Sequence, residues 1–384
     1  MQKQDKIRVQ VVDDSVVIRR ALAALLNEDP DIEVVDVSSN GQLALSKLES
    51  VDPDIVLLDV EMPVLNGLDA LREIRVRDRS LPVIMFSSLT ARGATTTVEA
   101  LSLGASDYVT KPASDSLESS LEGIRRSLLP KIHGLCRPSL DCGPTAKECR
   151  TVPRPLQRPV SRAVPELTTP ARAKQAGGRP IIRKPGMFDP AVVALGVSTG
   201  GPNALTDVLP ELPASFPVPI VIVQHMPALF TKLLAERLDA ACALNVREAQ
   251  GGELVQPGNI WLAPGDRHLV VTRDRGKLVL ALNEDPPENS CRPAVDVLFR
   301  SVAASCRGRA VGVILTGMGN DGFVGSQQLK AAGAPIVAQD KETSVVWGMP
   351  GCVVENGVAD VVLPLDRVAE QLMLWTQSMR AETR

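Results

Sequence analysis

A serine between a strand pattern and a helix pattern is the first residue of this sequence that could do chemistry. Ser198 lies in GVSTGGPNAL (residues 196–205), where the apolar run AVVALGV gives way to small polar residues. Three roles fit it: a helix N-cap, part of a glycine loop that cradles phosphate, or a nucleophile. Gly196, Ser198 and Gly200 also satisfy G-x-S-x-G, the pattern that presents a nucleophilic serine on a sharp turn between strand and helix.

A nucleophilic serine needs a base to take its proton, and the sequence offers three histidines. His133 lies in a proline-rich segment, His225 ends the apolar run PIVIVQH, and His268 opens a hairpin pattern. His225 is the favoured base, because the carboxyl end of its strand should lie on the same edge of a parallel sheet as Ser198.

The loop TGMGNDG (residues 316–322) supports two different predictions. Its glycines spell G-x-G-x-x-G after a strand and before a helix, which is the fingerprint of dinucleotide binding. Asp321 counts against that prediction, because it puts a carboxylate inside the loop that would cradle a pyrophosphate. The loop can instead complete a catalytic triad, with Asp321 orienting His225 and with backbone amides beside Thr199 and Met318 binding an oxyanion.

A second group of chemical residues follows the strand patterns near the N-terminus. Asp13 and Asp14 end the first strand and Asp59 ends the third, while Ser87 ends the fourth and Lys111 follows the fifth. Carboxylates that converge at one sheet edge repel each other unless a cation joins them, and an all-oxygen site favours Mg²⁺. A phosphoryl group on Asp59 would find that metal, the Ser87 hydroxyl and the Lys111 ammonium around it.

Three regions must position these residues. Strand and helix patterns alternate five times over residues 7–128 and predict an α/β domain of flavodoxin-like (βα)5 type. Residues 129–187 read as a flexible Pro/Arg-rich linker, since ten prolines and twelve Lys or Arg residues stand against three acids between Pro130 and Gly186. Residues 188–384 predict a second α/β domain, a doubly wound parallel sheet with a β-hairpin insertion.

Composition excludes several classes of protein. The net charge of -3 gives no basic footprint for nucleic acid, and the second domain shows no helix-turn-helix with a basic face. No apolar run approaches the roughly 18 residues that span a bilayer, and the first residues lack the pattern of a signal peptide. Seven cysteines without a C-x-x-C pair favour reduced thiols. We therefore expect a cytoplasmic protein without membrane insertion and without a nucleic-acid partner. We also expect it to be a monomer.

The first region resembles a response-regulator receiver domain over residues 7–128, through VVDDS, LLDVEMPVLNGLD, FSS and YVTKP. The resemblance implies that a histidine kinase phosphorylates Asp59. The other implied site residues are the Mg²⁺ ligands Asp13, Asp14 and Asp59 and the phosphate-sensing residues Ser87, Tyr108 and Lys111.

The last region resembles the catalytic domain of chemotaxis protein-glutamate methylesterases of the CheB type. The resemblance rests on GVSTGGPNAL, IVIVQHMP, NIWLAPGDRHL, RPAVDVLFRS, GVILTGMGNDG and VWGMPG. It places the triad on Ser198, His225 and Asp321 and the oxyanion hole on the backbone of Thr199 and Met318. Cys291 stands where a histidine is common in this family, which leaves the substrate contacts there open.

This resemblance implies a phosphorylation-activated serine hydrolase that serves adaptation in chemotaxis signalling. It would demethylate glutamate γ-methyl esters on methyl-accepting chemoreceptors, release methanol, and deamidate receptor glutamines, without a cofactor for the esterase chemistry. The phosphodonor would be the chemotaxis histidine kinase, and the unphosphorylated receiver would cover the active-site mouth. The alternative is a response regulator whose second domain only binds a partner or a nucleotide, against which the three triad residues at three strand ends argue.

Overall fold

Two α/β domains make up the part of the chain that the computed structural model describes, which is residues 6–88, 90–111, 117–137 and 189–376. The predicted linker lies outside these residues from position 138 onward, and so does the end of the predicted second domain. Within the described ranges, no helix combines the length and the apolar composition needed to cross a bilayer.

The first domain is a five-stranded parallel sheet in the order β2-β1-β3-β4-β5, with five helices. Its strands carry long aliphatic side chains that are mostly buried, as expected of a parallel sheet covered on both faces. Side chains of Ser15, Asn40, Asn66 and Thr90 cap α1 to α4 by accepting from backbone amides of the first turn. The elements are β1 Ile7–Val12, α1 Val16–Asn27, β2 Ile32–Ser38, α2 Gly41–Val51, β3 Ile55–Asp59, α3 Gly67–Arg77, β4 Val83–Ser87, α4 Ala91–Ser102, β5 Asp107–Thr110 and α5 Leu117–Cys136.

The second domain is a seven-stranded parallel sheet in the order β14-β13-β12-β6-β7-β9-β8, with a separate antiparallel hairpin of β10 and β11. The predicted fold class, a receiver-like domain followed by a doubly wound sheet with a hairpin insertion, is confirmed. The strands are β6 Val192–Val197, β7 Ile220–Gln224, β8 Asn245–Glu248, β9 Asn259–Leu262, β10 His268–Asp274, β11 Lys277–Asn283, β12 Ala310–Ile314, β13 Ile336–Gln339 and β14 Val361–Leu363. The helices are α6 Gly201–Val208, α7 Ala228–Ala241, α8 Val295–Cys306, α9 Phe323–Ala331, α10 Met349–Glu355 and α11 Val368–Thr376.

The structure differs from the sequence prediction at the end of the first domain, because α5 continues past residue 128 to Cys136. Pro130 lies inside this helix, although proline lacks an amide hydrogen and usually ends a helix. The helix continues because Leu128 and Ile132 keep the buried i, i+4 face of Ile124 against the first domain's core. The first residues assigned to the linker are therefore part of the folded domain.

The order of strands in the second sheet sets where a site can form. Strand β6 is central, and the chain proceeds from β6 to β7 on one side and returns through β12 on the other. Ligands of doubly wound sheets bind beyond the carboxyl ends of strands at such a reversal of order. The loops after β6, β7 and β12 carry Ser198, His225 and Asp321.

Candidate active site and phosphorylation site

The turn after β6 holds Ser198 half-buried at the edge of the sheet. Gly200 has a φ of 77°, a left-handed conformation that glycine adopts without strain, and it lets the chain reverse into α6. The Ser198 amide donates to Thr316 O (3.1 Å), and Gln224 Nε2 donates to Ser198 O (2.9 Å). A Cβ at Gly317 would lie 2.9 Å from the Ser198 Cβ, so only glycine lets the neighbouring loop come this close.

His225 and Asp321 form a hydrogen-bonded pair at the same edge. His225 Nε2 lies 2.8 Å from Asp321 Oδ2, and the two side chains are 12% and 2% exposed. Backbone amides of Val295 (2.6 Å), Asp296 (3.0 Å) and Gly322 (2.9 Å) also donate to the Asp321 carboxylate. Burial opposes ionisation of Asp321, but the hydrogen bond from His225 and the amides outweigh it and lower its pKa. Asp321 is therefore a fixed negative charge beside the imidazole.

The second imidazole nitrogen of His225, Nδ1, contacts the thiol of Cys291. His225 Nδ1 lies 3.6 Å from Cys291 Sγ, while no hydrogen bond joins the Ser198 hydroxyl to His225 among the residues described. Burial disfavours the imidazolium, but the hydrogen bonds to Asp321 and Cys291 outweigh it and raise the pKa of His225 to about 10. Ser198 and His225 thus line one cleft, with Asp321 buried behind the histidine and no hydrogen bond between serine and histidine among the described residues.

Two backbone amides beside Ser198 are suited to bind an oxyanion. Thr199 follows the serine, and Met318 follows the glycine that packs on it. In the described part of the chain neither amide donates a backbone hydrogen bond, whereas the Thr199 carbonyl accepts from Thr316 Oγ1 at 2.9 Å. Fixed and unpaired donors of this kind stabilise a negative oxygen as it forms.

The cleft that contains these residues is lined by both domains. It has a volume of about 580 Å³, and the second domain contributes Ser198, His225, Cys291 and Met318. The first domain contributes residues of β5 and of the later turns of α5, which contain Lys131. The first domain therefore forms one wall of the candidate active site.

Polar contacts join the two walls directly. Thr199 Oγ1 donates to Asp107 Oδ2 at 2.7 Å, and the other oxygen of Asp107 lies 2.7 Å from Lys131 Nζ. Beside them the rings of Tyr108 and Phe230 stack with centroids 4.7 Å apart. A residue of the candidate oxyanion hole is thus held by a carboxylate of the first domain.

The acidic cluster of the first domain has the geometry of a cation site. One carboxylate oxygen from each of Asp13, Asp14 and Asp59 lies within 4.8 Å of the others. Lys111 Nζ lies 2.7 Å from Asp59 Oδ2 and 3.0 Å from Asp13 Oδ2. Burial, with a smaller contribution from Asp13, raises the pKa of Asp59 to about 6 although Lys111 opposes the rise. An all-oxygen set whose charges repel each other fits Mg²⁺, which would favour the ionised Asp59.

The contacts described for the two other predicted sensing residues are with groups other than Asp59. The Ser87 hydroxyl donates to Gly93 O in α4 at 3.1 Å. Tyr108 is buried where the domains meet, stacked on Phe230. Of the three predicted sensing residues, Lys111 is the one with a described contact to Asp59, while Ser87 contacts α4 and Tyr108 contacts the second domain.

Sequence reasoning missed three residues that the structure brings to the site. Asp107 contacts Thr199, and Asn289 Nδ2 donates to Asp321 Oδ1 at 3.0 Å and to Asp296 Oδ2 at 3.1 Å. No periodic sequence pattern predicts such contacts, because they depend on the tertiary packing of loops against each other. Only Asp296 carried a local signal, since an acid stands inside the otherwise apolar helix start RPAVDVLF.

Comparisons with known proteins agree with this architecture. Residues 193–372 match the family model CheB methylesterase, and residues 9–122 match the model of the response regulator receiver domain. The crystal structure of the Thermotoga maritima CheB methylesterase catalytic domain is 46% identical, covers 48% of this chain and 98% of that one, and has a TM-score of 0.47.

Two curated relatives match almost end to end. The protein-glutamate methylesterase/protein-glutamine glutaminase of Trichodesmium erythraeum is 45% identical over 369 residues, which is 96% of this chain and 98% of the relative. The protein of the same name from a Nocardioides species is 44% identical over 368 residues, 96% of this chain and 94% of that one. Identity of this extent across both domains shows that the chain belongs to the protein-glutamate methylesterase/protein-glutamine glutaminase family, with a receiver domain ahead of the catalytic domain.

Proposed function

We propose that this chain is a phosphorylation-activated serine hydrolase that demethylates glutamate γ-methyl esters on chemoreceptors and deamidates receptor glutamines to glutamate. The hydrogen bond between His225 and Asp321, in the cleft that also holds Ser198, carries the proposal. Methanol release from methylated receptor membranes tests the reaction. Labelling of Ser198 by an active-site phosphonate distinguishes this enzyme from a domain that only binds a partner.

In the first half of the reaction, Ser198 Oγ attacks the ester carbonyl carbon. Asp321 holds the proton on Nε2 of His225, so the lone pair of Nδ1 takes the serine proton. The oxygen of the tetrahedral intermediate becomes negative and is bound by the amides of Thr199 and Met318. As the C–O bond to the methoxy group breaks, His225 returns the proton, and methanol leaves.

In the second half, water attacks the acyl-enzyme while His225 takes a proton from it. The bond to Ser198 Oγ breaks, the serine regains its proton, and the receptor glutamate is released. The same steps convert glutamine to glutamate, with ammonia as the first leaving group. The base, the nucleophile and the oxyanion-binding groups of these steps all belong to the chain, and water is the second reactant.

Regulation follows from the wall that the receiver contributes to the cleft. Asp13, Asp14 and Asp59 would hold Mg²⁺, which supplies charge neutralisation for phosphoryl transfer to Asp59. A phosphoryl group on Asp59 would compete for Lys111, and it offers a new acceptor to the Ser87 hydroxyl. Release of the receiver from Thr199 then opens the cleft, and a tenfold activation requires only about 1.4 kcal/mol of differential stability.

The proposed partners follow from the two domains. Chemoreceptors supply the substrate, and a chemotaxis histidine kinase supplies the phosphoryl group. We place the protein in the cytoplasm as a monomer, with no membrane insertion and no nucleic-acid partner, since kinase and receptor glutamates meet there.

Replacing Asp59 with Asn should abolish activation by a small phosphodonor and leave the basal rate unchanged, because an amide cannot accept the phosphoryl group. Methanol release with and without acetyl phosphate measures this. The matched control is Asp69→Asn, since Asp69 is a half-buried acid of α3 that pairs with Arg72 and lies outside the acidic cluster. Stimulation of the Asp59 variant by the donor would overturn the regulatory account.

Replacing Asp107 with Asn should raise the basal rate without phosphorylation. The change removes the negative charge of the carboxylate that accepts a hydrogen bond from Thr199 and forms an ion pair with Lys131. A hydrogen bond to a charged group contributes about 1.5 to 3 kcal/mol. We expect an increase of about tenfold, since each 1.4 kcal/mol is a factor of ten, with a smaller remaining stimulation by the donor. A basal rate equal to that of the Asp69→Asn control would contradict the proposed closed state.

A further inference from the structure

Cys291 occupies a position that the proposed mechanism does not explain. It lies between β11 and α8, and its Sγ is 3.6 Å from His225 Nδ1 in the cleft that also contains Ser198. Asp321 already engages Nε2, so Nδ1 is the nitrogen that remains for the serine. In the residues that the structure describes, the partner of this nitrogen is the thiol and not the Ser198 hydroxyl.

The loop that carries Cys291 is anchored to the rest of the site. Glu288 and Cys291 exchange backbone hydrogen bonds of 3.1 and 2.8 Å, and Glu288 forms an ion pair with Arg300 of α8. In the same loop, the side-chain amide of Asn289 donates to the Asp321 carboxylate. The loop thus contacts both members of the His225–Asp321 pair, and it sets the thiol in place relative to them.

The contact with Cys291 also affects the protonation of His225. Burial disfavours the charged imidazole, but the hydrogen bonds that the imidazolium donates to Asp321 and Cys291 outweigh burial and raise the pKa of His225 to about 10. The other charged residues that line this cleft include Asp266, Arg292 and, from the receiver, Lys131. An imidazolium has no lone pair and cannot accept the serine proton, so an imidazole held in this way is a poor base.

The remaining described cysteines have different surroundings. Cys136 and Cys242 are half-buried, Cys306 and Cys352 are buried, and the described contacts of Cys136 and Cys352 are with the backbone carbonyls of Asp54 and Gly319. Burial raises the pKa of Cys136, Cys242 and Cys306. Cys242, at the end of α7, is therefore a suitable matched control for the loss of a thiol.

We propose that Cys291 is a positioning residue that holds Nδ1 of His225 away from Ser198 in the resting enzyme, so that His225 must exchange Cys291 for Ser198 before catalysis. The inference rests on the proposed function, because it assigns Nδ1 as the base of that reaction. Cys291 acts only through His225 and takes no part in bond making.

The test measures how fast Ser198 reacts with a fluorophosphonate in the full-length, unphosphorylated chain, as a function of pH. Cys291→Ala should react about three- to tenfold faster near neutral pH, the range that loss of one modest hydrogen bond implies. Its rate profile should also move to lower pH, because a contact that raises the pKa of His225 is gone. Cys291→Ser restores a hydrogen-bond partner for Nδ1 and should return both quantities towards those of the parent, while Cys242→Ser should match the parent.

Two results separate the possible failures. A Cys291→Ala variant that is folded but reacts no faster, with an unshifted pH profile, would overturn the role of Cys291. Equal phosphonate labelling of the parent and of Ser198→Ala would overturn the proposed function itself.

Discussion

The Ser198→Ala variant should lose on the order of 10⁴ to 10⁶ of the catalytic rate, the usual cost of removing a triad nucleophile. The reason is chemical: the remaining site can bind the ester and its oxyanion, but residue 198 no longer has the Oγ that forms the acyl-enzyme, and the neighbouring Thr199 hydroxyl is held by Asp107. Methanol release from methylated receptor membranes, in the presence of a phosphodonor, measures the loss.

Ser290→Ala is the matched control, since Ser290 is an exposed serine that lines the same cleft. It should retain nearly the parent rate. Phosphorylation of Asp59 should proceed normally in the Ser198 variant, which shows that its receiver is intact. Substantial residual activity would reject Ser198 as the nucleophile.

Asp321→Asn should lower the turnover rate by about 10⁴, the effect seen when a triad aspartate of a serine protease becomes an amide. Both oxygens of the Asp321 carboxylate accept hydrogen bonds. Oδ2 accepts from His225 and the Val295 amide, and Oδ1 accepts from the Asp296 amide and Asn289 Nδ2. An asparagine side chain has only one acceptor oxygen. In either orientation its NH₂ group would face a group that also donates, and that hydrogen bond would be lost. The imidazole would lose its fixed tautomer, and Nδ1 would no longer present a lone pair.

Asp296→Asn is the control for loss of a nearby buried acid. Asp296 accepts from Gly325 N and from Asn289, and burial, with the charge of Asp321, raises its pKa to about 6. Asp296 has no described contact with His225. The Asp296→Asn replacement should therefore lower the rate less than about tenfold, a smaller effect than loss of a triad member. Comparable losses in the two variants, measured as turnover with saturating receptor, would contradict the specific role of Asp321.

Much of the fold follows from hydrophobic pattern alone. Buried parallel strands read as continuous apolar runs, and the polar residues that end them, such as Asp59 and Ser198, share an edge of their sheets. The end of α5 could not be predicted, because Pro130 has the same local signal whether it stops a helix or lies within one. Burial of Ile132 against the first domain's core decides the outcome, and that packing is a tertiary effect.

The candidate site was predictable only where residues follow strands. Ser198, His225 and Asp321 each follow a strand of one parallel sheet, so chain order and strand type were enough to bring them together. Asp107 and Asn289 act through loops and through the meeting of two domains, which no spacing in the sequence encodes. Cys291 stood out only as a departure from a family pattern, whereas its position beside Nδ1 depends on the backbone of its loop.

The hydrogen bond between Thr199 and Asp107 also implies a reciprocal effect. If phosphorylation of Asp59 strengthens binding of an ester in the cleft by some factor, thermodynamic linkage requires the ester to favour the phosphorylated-like receiver by the same factor. A bound receptor segment that displaces Asp107 from Thr199 is therefore an allosteric effector of the domain that controls its own hydrolysis. The substrate and the phosphoryl group therefore shift the same equilibrium between docked and released receiver, one from the cleft and the other from Asp59.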